Sequence, residues 1–143
     1  MSADNINTVK KFYEILMSGK PESLPNVLDE NIRLEMMKGW PYGGNYSGLD
    51  SAINDFFSNV WTLLNPFTLE IYEYIDAGSE VISVGMYHTP HKDTGEDMPS
   101  AFAHIWTVKD GKLTRMRQYA DTVQISRALN HNVPEKMSEQ TGS

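Results

Sequence analysis

The chain contains no cysteine. Thiol nucleophiles, disulfides and zinc sites built on thiolates are therefore excluded, and the redox state of the compartment leaves no trace in the sequence. Basic residues are scarce, with 12 Lys and Arg against 19 Asp and Glu for a net charge of −7. That balance disfavours nucleic acid and anionic membrane as partners, since both are recognised through clustered positive charge. The four cations nearest each other, Lys109, Lys112, Arg115 and Arg117, are spread along a hairpin and make no such cluster. No run approaches the roughly 20 apolar residues of a membrane span, and MSADNINTVKK lacks the basic start and apolar core of a secretion signal. The expectation is a cytoplasmic protein without membrane or nucleic-acid partners. No internal repeat is present.

A chain of 143 residues suits one domain, long enough to bury roughly two-thirds of its unfolded surface. Residues 1–130 read as that domain and residues 131–143 as a flexible polar tail. Over residues 5–17, Ile6, Val9, Phe12, Tyr13, Leu16 and Met17 form a helical stripe that Gly19 and Pro21 bring to a stop. A short second helix starts at Pro21, and residues 31–37 turn extended. The loop KGWPYGGNYSG follows, then Leu49, Ile53, Phe56, Phe57, Val60, Trp61 and Leu64 repeat at three and four residues until Asn65-Pro66. Beyond Pro66 the period changes to two, which predicts four strands in succession and a final short helix. Helix, helix, strand, helix and four strands call for an α+β layer, a curved antiparallel sheet forming a cone around about three helices.

Residues 100–121 carry the chemistry. Asp110-Gly111 supplies a tight primed turn, so this stretch reads as a long hairpin. Pairing Lys109 with Lys112 sets Trp106 opposite Arg115, His104 opposite Arg117, Phe102 opposite Tyr119 and Ser100 opposite Asp121, all with one parity. The other parity, with Ala101, Ala103, Ile105, Met116, Gln118 and Ala120, is also apolar enough to lie under helices. A single bulge would bring part of each set into one pocket, and nothing in the sequence places that bulge.

Three patterns, the N-terminal VKKFYEILMSGK, the GNYSG before the third helix and the final F-x-H-x-W-x-V-x-D-G-K-L…R-x-Y-x-D, resemble the NTF2-like (cystatin-like α+β cone) superfamily over residues 5–121. The closest likeness is to its SnoaL-like branch, which includes polyketide cyclases and relatives of ketosteroid isomerase. The steroid isomerases of this superfamily use a helix-one Tyr, a strand Asp and a base Asp; those positions fall near Phe12, His104 and Gly39 or Trp40, so steroid isomerisation is disfavoured. Tyr13 is one residue on, turned by about 100°, and is expected to miss the interior if Phe12 points there, although it stays a candidate oxyanion donor. The SnoaL-like cyclases place an acid/base Asp at the end of the last strand with a His on the strand before, and Asp121 and His104 resemble these.

The resemblance thus implies a cofactor-free proton transfer of isomerase or cyclase type on a hydrophobic carbonyl or polyketide-like molecule, with Asp121 and His104 catalytic. Desolvation in an aromatic cone would raise the Asp121 pKa toward neutrality. Tyr13, Trp40, Phe57, Trp61, Phe102, Trp106, Met116, Arg117, Gln118 and Tyr119 are the candidate substrate-binding residues. Each has a plainer reading beside it: Asp121-Thr122-Val123-Gln124 imitates a helix cap, and the aromatics fit ordinary core packing. A cavity of roughly 300 Å³ or more ending at Asp121 favours the enzyme, and a cone filled by side chains favours a non-catalytic ligand-binding or dimeric scaffold. Epoxide hydrolysis of the limonene-epoxide-hydrolase type requires Glu35 and Arg117 beside Asp121. No metal site is expected, since His88, His91, Asp93, Glu96 and Asp97 sit on a solvated loop. A homodimer through the outward sheet face is expected from the same resemblance.

Overall fold

The computed structural model describes residues 2–137, with side chains from residue 4 onward. Helix α1 spans Ser2–Ser18 and a 3-10 turn Pro21–Asn26. Val9, Phe12 and Tyr13 on α1 are all buried. Gly19, at φ +72°, ends the helix where a side chain would collide with the Trp61 ring. The long central helix is wound as a π-helix over Ser51–Phe57 and continues as α2, Ser58–Leu64. The wider turn lets the adjacent Phe56 and Phe57 both face the core.

Six strands follow the chain as β1 (Leu28–Met36), β2 (Gly44–Ser47), β3 (Thr68–Ala77), β4 (Glu80–Pro90), β5 (Asp97–Lys109) and β6 (Lys112–Ala120), before the short helix α3, Thr122–Ala128. They form one curved, unclosed sheet in the order β2-β1-β6-β5-β4-β3. The α+β cone is as expected, with two refinements. Residues 44–47, read as loop, pair with β1, and β1 lies parallel to β6 while every other pair is antiparallel. The chain leaves the sheet only after the β1–β2 hairpin, and the free side of β1 is filled by the last strand, which runs in the same direction.

The β5–β6 hairpin turns through Asp110 (φ 52°) and Gly111 (φ 76°), and Lys109 pairs with Lys112. Val108 still faces Leu113, but Thr107 pairs with Arg115 and leaves Thr114 as an inserted residue. This bulge moves β6 by one position. Trp106 consequently faces Met116, His104 faces Gln118 and Phe102 faces Ala120, in place of the expected partners Arg115, Arg117 and Tyr119. The inner face of β6 therefore carries Leu113, Met116 and Gln118, all buried. On β4, burial alternates strictly and turns Val81, Ser83, Tyr87 and Thr89 inward.

Gly85 occupies an inward position of β4, opposite Ile71 on one side and Phe102 on the other. A methyl group there would overlap the Glu70 carbonyl and the Phe102 ring, next to the register shift of β3 at Tyr72. Gly85→Ala is expected to destabilise the fold by about 1–3 kcal/mol through overpacking, read as a lowered urea midpoint. An unchanged midpoint would mean that β3 slides outward without cost.

Candidate functional site

A connected set of polar side chains lies inside the apolar cone. His104, 1% exposed, sits at its centre, between α1 and the strands. Its Nδ1 is 2.6 Å from the Tyr13 hydroxyl, and its Nε2 is 2.7 Å from Gln118 Oε1 and 2.9 Å from the Tyr87 hydroxyl. The Tyr87 hydroxyl donates to Gln118 Oε1 at 2.5 Å. Tyr13 also meets Ser83 Oγ at 2.6 Å, and the Trp106 indole N–H is shared between Tyr13 and Ser83 at 3.2 Å each. With the imidazole neutral, one set of donors and acceptors accounts for the Tyr13, Ser83 and Gln118 contacts. Ser83 donates to Tyr13, Tyr13 donates to His104 Nδ1, and His104 Nε2–H joins Tyr87 in donating to Gln118 Oε1.

That arrangement requires a neutral imidazole, and burial enforces it: desolvation lowers the His104 pKa to about 3. Burial likewise raises the Tyr13 and Tyr87 pKa values, so both phenols stay protonated donors. Phe102 stacks on the imidazole with ring centroids 4.2 Å apart, completing its apolar surroundings. One group is left over. Gln118 Nε2 is buried and has no hydrogen-bond partner, while Gln118 Oε1 accepts two bonds. Two donors on one amide oxygen polarise the amide and strengthen the N–H groups at its other end.

Gln118, His104 and Tyr87 line a cavity of about 20 Å³ whose remaining wall includes Trp40, Phe57, Trp61 and Met116. This volume holds about one water molecule. The volume expected for a ready-made substrate pocket is absent, because Trp40, Phe56, Phe57 and Trp61 fill the cone between α1 and the sheet. No carboxylate lines the cavity among the described residues.

The structure brings together Tyr13, Trp40, Phe57, Trp61, Phe102, His104, Trp106, Met116 and Gln118. Tyr13 does reach the interior, contrary to the helical-rotation argument, because α1 packs into the cone deeply enough to bury both Phe12 and Tyr13. Arg117 and Tyr119 do not join the site. The Thr114 bulge turns both outward, leaving Tyr119 54% exposed and Arg117 paired with Glu80 at 3.3 Å. Asp121 is placed in solvent rather than in the cone. Its carboxylate caps α3, accepting from the backbone N–H groups of Val123 at 3.0 Å and Gln124 at 3.3 Å. Glu35, Arg117 and Asp121 do not converge: Glu35 binds Arg115 at 2.7 and 2.9 Å on the outer face. His88 spends both ring nitrogens on Glu70 and Asp97, and no three metal-ligating side chains cluster among the described residues. Tyr87 and Ser83 are the members of the network that sequence reasoning passed over. Their shared parity with Val81 on an alternating strand was the available signal.

A family model described as a SnoaL-like domain matches residues 9–116. The chain has no significant match among curated proteins. Among solved structures it is similar to an NTF2-like protein from Burkholderia thailandensis E264, at 26% identity and TM-score 0.75, covering 85% of this chain and 94% of that one. It is also similar to TerC co-crystallised with polyporic acid, at 26% identity and TM-score 0.75, covering 85% and 95%. A candidate SnoaL-like polyketide cyclase from Jannaschia sp. CCS1 shares the fold at 13% identity and TM-score 0.75, covering 93% and 95%.

The buried imidazole makes stability depend on pH with a definite sign. Because the folded pKa is about 3 and the unfolded value about 6.5, the unfolded chain takes up a proton over that interval that the folded chain refuses. Stability is full above the unfolded value and falls as pH drops, by up to about 1.4 kcal/mol per pH unit from this group. Urea titrations at steps between pH 7 and pH 4 are expected to show that slope in the native chain and a shallower one in His104→Gln. Equal slopes would place His104 outside the acid response.

Proposed function

The chain belongs to the SnoaL-like domain family, and we propose that it binds a small hydrophobic molecule through an acceptor oxygen held by Gln118 at the inner end of the cone. The observation that carries this reading is the unpartnered, buried Nε2 of Gln118, a residue that lines the cavity and whose amide oxygen is loaded by His104 and Tyr87. A carbonyl oxygen set against that amide would gain a hydrogen bond that strengthens as negative charge develops on it. This is the electrophilic part of a cofactor-free isomerase or cyclase reaction on a hydrophobic carbonyl or polyketide-like compound. His104 acts as a neutral donor, since an imidazole with a pKa near 3 is a weak base at neutral pH. Asp121 has no part in this reading, and its value lies in capping α3.

The relative co-crystallised with polyporic acid supplies that compound as a probe. Titrated against tryptophan fluorescence, it is expected to bind the native chain and Asp121→Asn alike. Gln118→Met is expected to weaken binding about tenfold, the effect of one lost hydrogen bond to a charged or strongly polar acceptor. Equal affinity in Gln118→Met would remove Gln118 from the site. The small cavity favours a second reading, a non-catalytic scaffold in which the aromatics simply complete the core. It predicts no binding of the probe by either protein.

A homodimer belongs to the same proposal. Ile82, Val84 and Met86 on β4, Ala103 and Ile105 on β5 and Tyr119 on β6 share the outward face, away from the helices. A second copy covering this row would bury it by a two-fold contact. Light scattering at micromolar concentration is expected to give twice the chain mass, and Val84→Asp to return it to one; a native monomer would oppose the assignment.

A further inference from the structure

Residues 131–137, expected as the start of a free tail, lie instead across the loop that carries Trp40; residues 138–143 of that expected tail lie outside the described residues. After α3 the chain reverses through Asn130 and His131, both at positive φ (56° and 62°), a conformation that side chains other than glycine rarely adopt. The reversal is held by His131 N–H on the Ser126 carbonyl at 2.7 Å and by Asn130 Nδ2 on Asp93 at 3.0 Å. From there the strap meets the loop at few points. The Tyr42 N–H donates to the Pro134 carbonyl at 2.8 Å, and Lys136 Nζ donates to the Asn45 carbonyl at 2.5 Å. The same ammonium sits 4.7 Å from the Tyr46 ring centroid.

Trp40 lies directly beneath. Its indole, 2% exposed, faces Tyr87 inside the cone at 4.8 Å between ring centroids and also borders an outer groove formed with Val133, Pro134 and Lys136. A single side chain thus separates the cavity from the strap. Most other cavity walls stand on helices or strands, whereas Trp40 stands on a loop that contains Gly39 (φ 96°) and Gly43 and ends at Gly44 (φ 144°), the first residue of β2. A loop built in this way can move without disturbing the sheet.

We propose that residues 131–137 are a latch on the cavity: while they are down, Trp40 is pinned inward, and when they lift, Trp40 swings out and opens the space a ligand needs. The proposal rests on the ligand reading of the cavity, but its mechanical part stands apart from it. Opening breaks one backbone hydrogen bond, one lysine–carbonyl bond and one cation–π contact, and lifts the half-buried Val133 from the edge of the core. So sparse a set of restraints places the strap at the low-stability end of the molecule, where local opening precedes global unfolding.

Amide hydrogen exchange of the full chain tests the mechanical part without any ligand. The Tyr42 amide is expected to exchange through a local opening, with protection about tenfold or more below that of core amides on β5 and β6. Protection equal to those core amides would overturn the latch. The ligand part is read from the rate of polyporic acid association. Deletion of residues 132–143 is expected to accelerate association about tenfold, and Lys136→Met, a change outside the helices and strands, to accelerate it by less. Unchanged rates in both variants, with binding retained, would overturn the latch as a gate. Absence of binding in every variant would defeat the ligand reading and the gate with it, while the Tyr42 exchange still decides whether the strap opens.

Discussion

The structure depends on one uncharged imidazole. His104 has a hydrogen-bond partner on each ring nitrogen, Tyr13 of α1 on one side and Gln118 of β6 with Tyr87 of β4 on the other. Helix and sheet are thereby joined through polar contacts at the centre of an apolar core, where an unmatched donor or acceptor is costly. Burial likewise holds the Tyr13 and Tyr87 phenols in their protonated form, and the Gln118 amide has no charged form. The result is a core polar in its geometry but not in its charge. Gln118, at the end of the chain of donors, is where that geometry meets the cavity.

Much of the architecture was legible in the sequence. The α1 stripe ending at Gly19, the change of period after Pro66 and the Asp110-Gly111 turn all appear where the residue types place them, since each is a local preference acting within a few residues. His104, Trp106 and Phe102 were correctly grouped on one face of β5. What escaped was β6. A one-residue insertion at Thr114 inverts the parity of everything after it, and both parities carry residues that can be buried. Arg117 and Tyr119 therefore exchanged sides with Met116 and Gln118.

Asp121 illustrates a different limit. Its place after the last strand resembles the acid/base position that the SnoaL-like resemblance implies, yet the next residues begin a helix whose free N–H groups bind its carboxylate. The two readings of Asp121-Thr122-Val123-Gln124 differ only in which way a short side chain points. Tyr13 erred in the opposite direction, because helical rotation was reckoned from a single inward position while α1 is embedded widely enough for adjacent rings to be buried. Both cases turn on the depth of packing, which pattern alone does not measure.

The parallel contact between β1 and β6 bears on how the chain reaches this form. Glu35 meets Arg115 across 80 positions of sequence, so the β1–β2 ribbon has no flank to join until the final strand has been made. On the ribosome, the amino-terminal third must wait, with one hydrogen-bonding edge of β1 unpaired, for residues near the carboxyl end to emerge. Contacts of such long range slow assembly, and the delay leaves a strand edge for a chaperone or a neighbouring nascent chain to seize.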